Sequence, residues 1–319
     1  MGMLTTIQSY VWGPPTLLLL IGTGLYFTIK LRGLQIVKFP LAVKAIFEKE
    51  SGAGSGEGDV SAFATLCTTM AADIGTGSIV GVATALRIGG PGSLFWMWIS
   101  AILGMVTKYS ESLLAVKYRV TDENNQMAGG PMFYIQNGMG ERFIWLAKIF
   151  SVFGICTALF GCGTFPQVNA ITESVNVTFH IPIIVAGVIV TILTAVVTIG
   201  GIKSISKVAE IVVPIMALTF LGGSVVALVI NRAVVPDAFK TIFTCAFAKE
   251  SVIGGTAGTG VITFMTVMRT GIARGVYTNE AGLGSSPIVA AAAKTNSGVR
   301  QGLLSMTSVF VTTILTCSM

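Results

Sequence analysis

Asp73 stands inside an otherwise apolar stretch and is followed by Ile74-Gly75-Thr76-Gly77-Ser78. A carboxylate at the centre of a membrane-spanning helix costs about 2.5–3.5 kcal/mol on insertion scales, so it must face a bundle and meet a cation, a donor or a proton. The glycines beside it weaken the helix and leave peptide groups without helical partners. At membrane depth that is tolerable only where protein or a water-filled cavity surrounds the break. Freed carbonyls suit a small hard cation such as Na⁺, and amides opening a half-helix suit a carboxylate. Asp73, Thr76 and Ser78 are thus candidate sodium ligands. Asp73, Ile74, Gly75, Thr76, Gly77 and Ser78 together are candidate contacts for a small zwitterion.

A second run, Gly254-Gly255-Thr256-Ala257-Gly258-Thr259-Gly260, offers the same groups, and Gly254, Gly255 and Thr256 join the candidate set. Paired interruptions in two halves of a chain are the mark of a secondary transporter with its site near the midplane. The competing reading is close helix packing, since Gly77/Gly81 and Gly254/Gly258 both satisfy GxxxG. In a later segment Phe165 is a candidate apolar wall and Gln167 a candidate polar contact; Phe247 is added as a further apolar contact. Gln167 and Asn169 are two apart and do not share a helix face, and a glutamine there equally suits an interhelical hydrogen bond. Lys108 and Glu111, three apart on one helix, are expected to pair with each other in a structural role. Arg274 to Gly282 reads as a gating or packing connection.

These residues are carried on long apolar segments. Of the 319 residues 53% are hydrophobic and only 11% charged, against about 25% charged in soluble domains. Mean hydropathy is +0.81. Apolar runs of about 20 residues without period-two alternation predict an all-α polytopic membrane protein and not a barrel. Eight segments are predicted, near 8–30, 60–87, 93–119, 142–173, 181–200, 204–231, 250–270 and 298–319, within one transmembrane domain spanning 1–319. Pro182 suits a helix start, and Pro91 a turn between the second and third segments.

With the N-terminus outside, only Arg87, Arg232, Lys240 and Lys249 of the 20 basic residues fall on the outer side, which orients a multi-pass protein of the plasma membrane. The two interruptions then enter from opposite faces, as inverted repeats require: 60–231 forms one repeat and 250–319 begins the second, after an extra span at 8–30. An apolar run reaching Met319 suggests a chain cut short after the seventh core helix. The net charge of +6 comes without a basic face or an aromatic platform, which argues against nucleic acid as a partner. The five cysteines form no CxxC, and His180 is the single histidine, so an intramembrane enzyme lacks its nucleophile and base set. No catalytic residue is assigned. A channel would instead need a filter built from rings of identical groups.

The stretch Gly89-Gly90-Pro91-Gly92-Ser93-Leu94-Phe95-Trp96-Met97-Trp98-Ile99-Ser100-Ala101-Ile102-Leu103-Gly104 resembles the signature of the sodium:alanine symporters, the alanine or glycine:cation symporter family. Gly129-Gly130-Pro131-Met132, Asn279 to Ser285 and Gln301-Gly302 resemble the same family in order. Members commonly read Gly-Thr-Gly-Asn-Ile where this chain has Ser78. The resemblance implies a LeuT-like five-plus-five inverted repeat with one extra N-terminal helix. It further implies Na⁺-coupled import of alanine or glycine by alternating access, with substrate at the unwound parts of the first and sixth core helices. Proton coupling through Asp73 is the alternative within the same class.

Overall fold

The computed structural model describes residues 6, 11–48, 57–160, 163–248, 250–252 and 261–319, with side chains of 250–252 and 261–263 left aside. Helices dominate. The first, α1 (Pro14–Lys30), opens on two prolines whose missing N–H groups would be orphans at a helix start in any case. Two short helices follow, α2 (Leu34–Val37) and α3 (Phe39–Phe47). The next stretch is split into α4 (Ala62–Asp73) and α5 (Thr76–Gly89), and the Ser61 hydroxyl caps α4 by accepting from the Ala64 amide at 3.0 Å.

Pro91 caps α6 (Gly92–Lys117), which leads to a small antiparallel hairpin, β1 (Val120–Thr121) with β2 (Met127–Ala128). Then come α7 (Pro131–Met139), α8 (Ile144–Leu159), α9 (Thr164–Phe179), α10 (Ile183–Ile199) capped by Pro182, α11 (Gly201–Ile230) and α12 (Val235–Phe247). The last part holds β3 (Glu250–Val252) paired antiparallel with β4 (Val261–Thr263), then α13 (Phe264–Asn279), α14 (Ser286–Ala291) and α15 (Gly298–Val309). A π-helical stretch, Phe310–Thr316, continues α15.

Four of these stretches are long and apolar enough to cross a bilayer: Ala62–Gly89, Gly92–Lys117, Glu141–Phe179 over its helical parts, and Gly201–Ile230; Ile183–Ile199 is a shorter apolar helix. The helices overlap the segments expected from hydropathy, except that 142–173 is carried by two helices, α8 and α9, α12 falls outside any expected segment, and one run is partly extended. Within the run expected over 250–270, residues 250–252 and 261–263 form strands and the chain is helical from Phe264. β-Branched Val252, Val261, Ile262 and Thr263 lie in those strands, and such residues favour extended backbone.

α6 is the hub, packed against α15, α13, α14, α1 and α12. Small residues allow the approach. A Cβ added at Gly275 would lie 2.1 Å from Ser100 Oγ, and one at Gly271 2.3 Å from the Ser93 carbonyl oxygen, so α13 meets α6 along a face only glycine fits. Met97, Ala101, Met105 and Val106 of α6 are buried there. Outward-facing apolar side chains on α9 to α11, such as Ile171, Ile184, Val196, Ile215 and Leu218, are exposed, as a lipid-facing surface requires.

One polar residue organises the loop side. The Arg119 guanidinium donates from Nη1 to the carbonyls of Ala291 (2.9 Å) and Ala293 (2.7 Å), and from Nη2 to those of Glu57 (2.6 Å) and Thr295 (2.9 Å). Burial holds this group below its ordinary pKa, opposed by the carboxylates of Glu57 and Asp59. Val60 forms a parallel bridge to Ala293 beside it, and Asp59 accepts from the Met127 amide at 2.7 Å. The chain before α4, the end of α6 and the segment after α14 are thereby tied together.

Candidate functional site

The helix expected to break at Asp73–Ser78 does so. Ile74 leaves the helical region at ψ 76° and Gly75 is extended at φ −132°, ψ −157°, before α5 resumes at Thr76. Freed backbone groups are partly capped locally: the Ser78 hydroxyl donates to the Asp73 carbonyl at 2.6 Å, and the Ser78 amide donates to the Gly75 carbonyl at 3.1 Å. Ser78 and Ile74 are buried.

Asp73 faces the bundle, and its partner is a lysine. Lys108 Nζ lies 2.7 Å from Asp73 Oδ2, with both side chains fully buried. The same ammonium donates to the Asn279 carbonyl, at the last turn of α13, at 2.8 Å. This corrects the expected Lys108–Glu111 pairing. Two buried helices meet at Lys108, so its ammonium reaches across to the neighbouring carboxylate, while Glu111 accepts from the Gly282 amide at 3.2 Å. Residues three apart on α6 thus grip the two ends of one turn, Asn279–Gly282. The second Asp73 oxygen, Oδ1, is buried without a hydrogen-bond partner among the described residues.

Hydroxyls surround this pair. Asn279 donates from Nδ2 to Thr313 Oγ1 at 3.1 Å and accepts at Oδ1 from the Ala281 amide at 3.0 Å. Ser308 approaches the Asp73 carboxylate but donates to the Ser305 carbonyl at 2.9 Å. Ser308, Thr312 and Thr313 are buried on α15 and its π-helical continuation. Such π stretches recur at functional sites.

From the break a cavity of about 650 Å³ runs along α5 from Thr76 and Gly77 to Thr84, along α9 from Pro166 to Thr178, and past Arg274 and Tyr277 of α13. That volume lies within the usual range of about 300–1,000 Å³ for small-molecule sites. Its polar lining includes Asn169, Glu173 and Arg274. The Arg274 guanidinium stacks 5.9 Å from the Tyr277 ring centre. The glycines Gly77 and Gly81, read either as site or as packing, do both: a Cβ at Gly77 would touch the Tyr277 ring at 3.2 Å, and Gly81 faces Arg274 at 3.7 Å, while both line the cavity.

Gln167 comes to the break, where a Cβ on Gly75 would lie 3.3 Å from its amide nitrogen. Asn169, two residues on, lines the cavity instead. Phe165 is not brought in: it is 71% exposed and does not line the cavity, because it points away from the bundle on the turn whose Pro166 and Gln167 face the cavity and the break. Phe247 is likewise elsewhere. Its ring centre is 5.0 Å from that of Phe95 and 6.1 Å from that of Trp96, in an aromatic cluster where α12 meets the first turn of α6. Gly254, Gly255 and Thr256 lie outside the described residues. Glu173, Arg274 and Asn279 were not assigned to the site from sequence. The signal for Arg274 and Asn279 was the polar run 274–282, whose helical spacing places Arg274 and Tyr277 on one face of α13.

A second cavity of about 340 Å³ separates α1 from α6, with Leu20, Phe27, Leu103, Glu111 and Tyr134 among its walls. Burial, and after it the Glu111 carboxylate, raise the pKa of the Tyr134 phenol.

A multi-pass helical membrane protein with a broken helix, a buried charge pair at the break and a cavity beside it is built as a transporter. The chain belongs to the sodium:alanine symporter family, whose model matches residues 1–319. It is 52% identical over 316 residues to an uncharacterized transporter of Haemophilus influenzae, covering 99% of this chain and 68% of that protein. The sodium/alanine symporter AgcS of Methanococcus maripaludis is 44% identical over 318 residues, covering 99% of this chain and 68% of AgcS. A putative sodium/proton-dependent alanine carrier protein, YrbD of Bacillus subtilis, is 34% identical over 315 residues, covering 98% of this chain and 62% of that protein. The family is one of symporters and not of enzymes.

Proposed function

We propose that this protein is a sodium-coupled symporter that imports small neutral amino acids, alanine or glycine, by alternating access across the plasma membrane, with its N-terminus outside. The observation that carries the reading is the break after Asp73, which opens peptide groups at membrane depth directly onto a cavity. The amino acid meets Gly75, Thr76 and Gly77 at the start of α5, where amide N–H groups and the helix dipole favour its carboxylate, and the Gln167 amide closes the site from α9. Sodium binds on the Asp73 side, where the unpartnered Oδ1 supplies a hard oxygen. Thr76 and Ser78 add oxygens around it. Arg274 and Glu173, of opposite charge on the cavity wall, suit a zwitterion on its way to the break.

The LeuT-like arrangement fits this mechanism, with 60–231 as the first repeat, 250–319 as the start of the second and α1 as the extra helix. Movement of one positive charge down a 100 mV potential provides about 2.3 kcal/mol, or roughly 50-fold accumulation. AgcS, named a sodium/alanine symporter, supports both ion and substrate.

Reconstitution into proteoliposomes with radiolabelled alanine tests the reading. Uptake should require an inward sodium gradient and fall to background in Asp73→Ala. Uptake driven equally by a pH gradient without sodium would replace sodium by protons, and conductance without saturable uptake would reject the symporter altogether.

A further inference from the structure

Lys108 stands between two acidic side chains, Asp73 across the bundle and Glu111 three residues along its own helix. Its ammonium is bonded to Asp73 Oδ2 and to the Asn279 carbonyl. Glu111 accepts from the Gly282 amide. The Lys108 ammonium is thus bonded to one carboxylate, with a second along its own helix, in a buried region. Asp73 is fully buried, and one of its oxygens has no hydrogen-bond partner among the described residues. Low local dielectric magnifies each of these charges, so the balance among them is steep.

Resting on the symporter reading above, we propose that Lys108 sets the cation affinity of the break, its ammonium competing with the transported monovalent cation for the Asp73 carboxylate. A cation arriving at Oδ1 shares the negative charge that now holds Lys108. The ammonium then has Glu111 within reach on its own helix, one turn along, where i and i+3 side chains are neighbours. Because Lys108 is also the donor to the Asn279 carbonyl, a shift toward Glu111 loosens the Asn279–Gly282 turn, which Glu111 itself holds through the Gly282 amide. Ion occupancy at the break is thereby communicated to the end of α13. Lys108 is a specificity-determining residue and not a transported group.

The test measures binding without transport. The full chain, purified in detergent, is titrated with NaCl against choline chloride at constant ionic strength, and the sodium-dependent rise in unfolding temperature gives a midpoint. In Lys108→Met the competitor is gone and the midpoint should fall at least tenfold. In Lys108→Arg a fork that holds both carboxylate oxygens should raise it at least tenfold, which keeps the test decisive if the methionine variant does not fold. Asp73→Asn should remain folded and lose the response. An unchanged midpoint in a folded Lys108 variant, or a normal response in Asp73→Asn, overturns the competition while leaving the symporter reading intact. A wild-type protein with no sodium response overturns both.

Discussion

The buried pair makes a quantitative prediction about stability that separates it from an ordinary surface ion pair. Removing one member of a buried pair strands a charge at a cost of about 3–5 kcal/mol. Asp73→Asn falls at the lower end of that range, because Lys108 keeps its bond to the Asn279 carbonyl and the new side-chain amide still offers an acceptor. Lys108→Met also deprives the Asn279 carbonyl of its donor, and Asn279 is 0% exposed. An unmet buried acceptor adds about 1–3 kcal/mol, for roughly 4–8 kcal/mol in all. The double variant strands no charge and keeps only the carbonyl loss, about 1–3 kcal/mol. The cycle should therefore close with a coupling of about 6–8 kcal/mol, beyond the usual range for contacting residues. Denaturant unfolding of the four proteins in detergent micelles, followed by near-ultraviolet circular dichroism, measures it. A double variant as unstable as the two single losses added together would refute the pairing.

Other substitutions probe the scaffold and the break. Arg119→Lys replaces a fork serving four carbonyls by an ammonium with three donors and leaves at least one of them short, which should cost at least about 1–3 kcal/mol; thermal unfolding, together with faster proteolysis near residues 286–295, would register it. Gly275→Ala places a methyl group in the space of Ser100 Oγ and should destabilise by about 1–3 kcal/mol, whereas Gly154→Ala, inside α8 with nothing within 4 Å, should stabilise by about 0.5–1 kcal/mol through helix propensity. Gly75→Ala brings a methyl group to 3.3 Å from the Gln167 amide, so the KM for alanine uptake should rise; adding Gln167→Ala should recover part of the loss if steric pressure is its cause.

How much of this was legible in the sequence depends on how far each determinant reaches along the chain. Local determinants were readable. The break is fixed by Gly75 and Gly77 beside Asp73, and helix starts by Pro91 and Pro182, so each lay within a few residues of its own signal. The apolar lengths gave the spans, because a bilayer imposes one thickness on all of them. The strands at 250–252 and 261–263 escape a hydropathy reading, because apolar β-branched residues satisfy its window as well as a helix does and periodicity cannot separate the two over so short a run. Phe165 and Phe247 were assigned by residue type, and type does not say which way a helix faces.

Lys108 and Asp73 are 35 residues apart on different helices, so no spacing rule joins them. The i, i+3 rule offered Glu111 instead, and it named a neighbour correctly while missing the stronger claim. Inside a membrane the cost of an unpaired charge is large enough to override local preference, so an intramembrane lysine is drawn first to whatever carboxylate can be buried with it. Lys108 and Asp73 are the cation and anion set deepest in the two spans joined by the Gly90–Pro91 turn. Those spans, connected by so short a turn, must run antiparallel and adjacent. That topology brings the two to similar depth on neighbouring spans, while Glu111 accepts from the Gly282 amide. The segments that could be read separately become a mechanism only when their buried charges are balanced together.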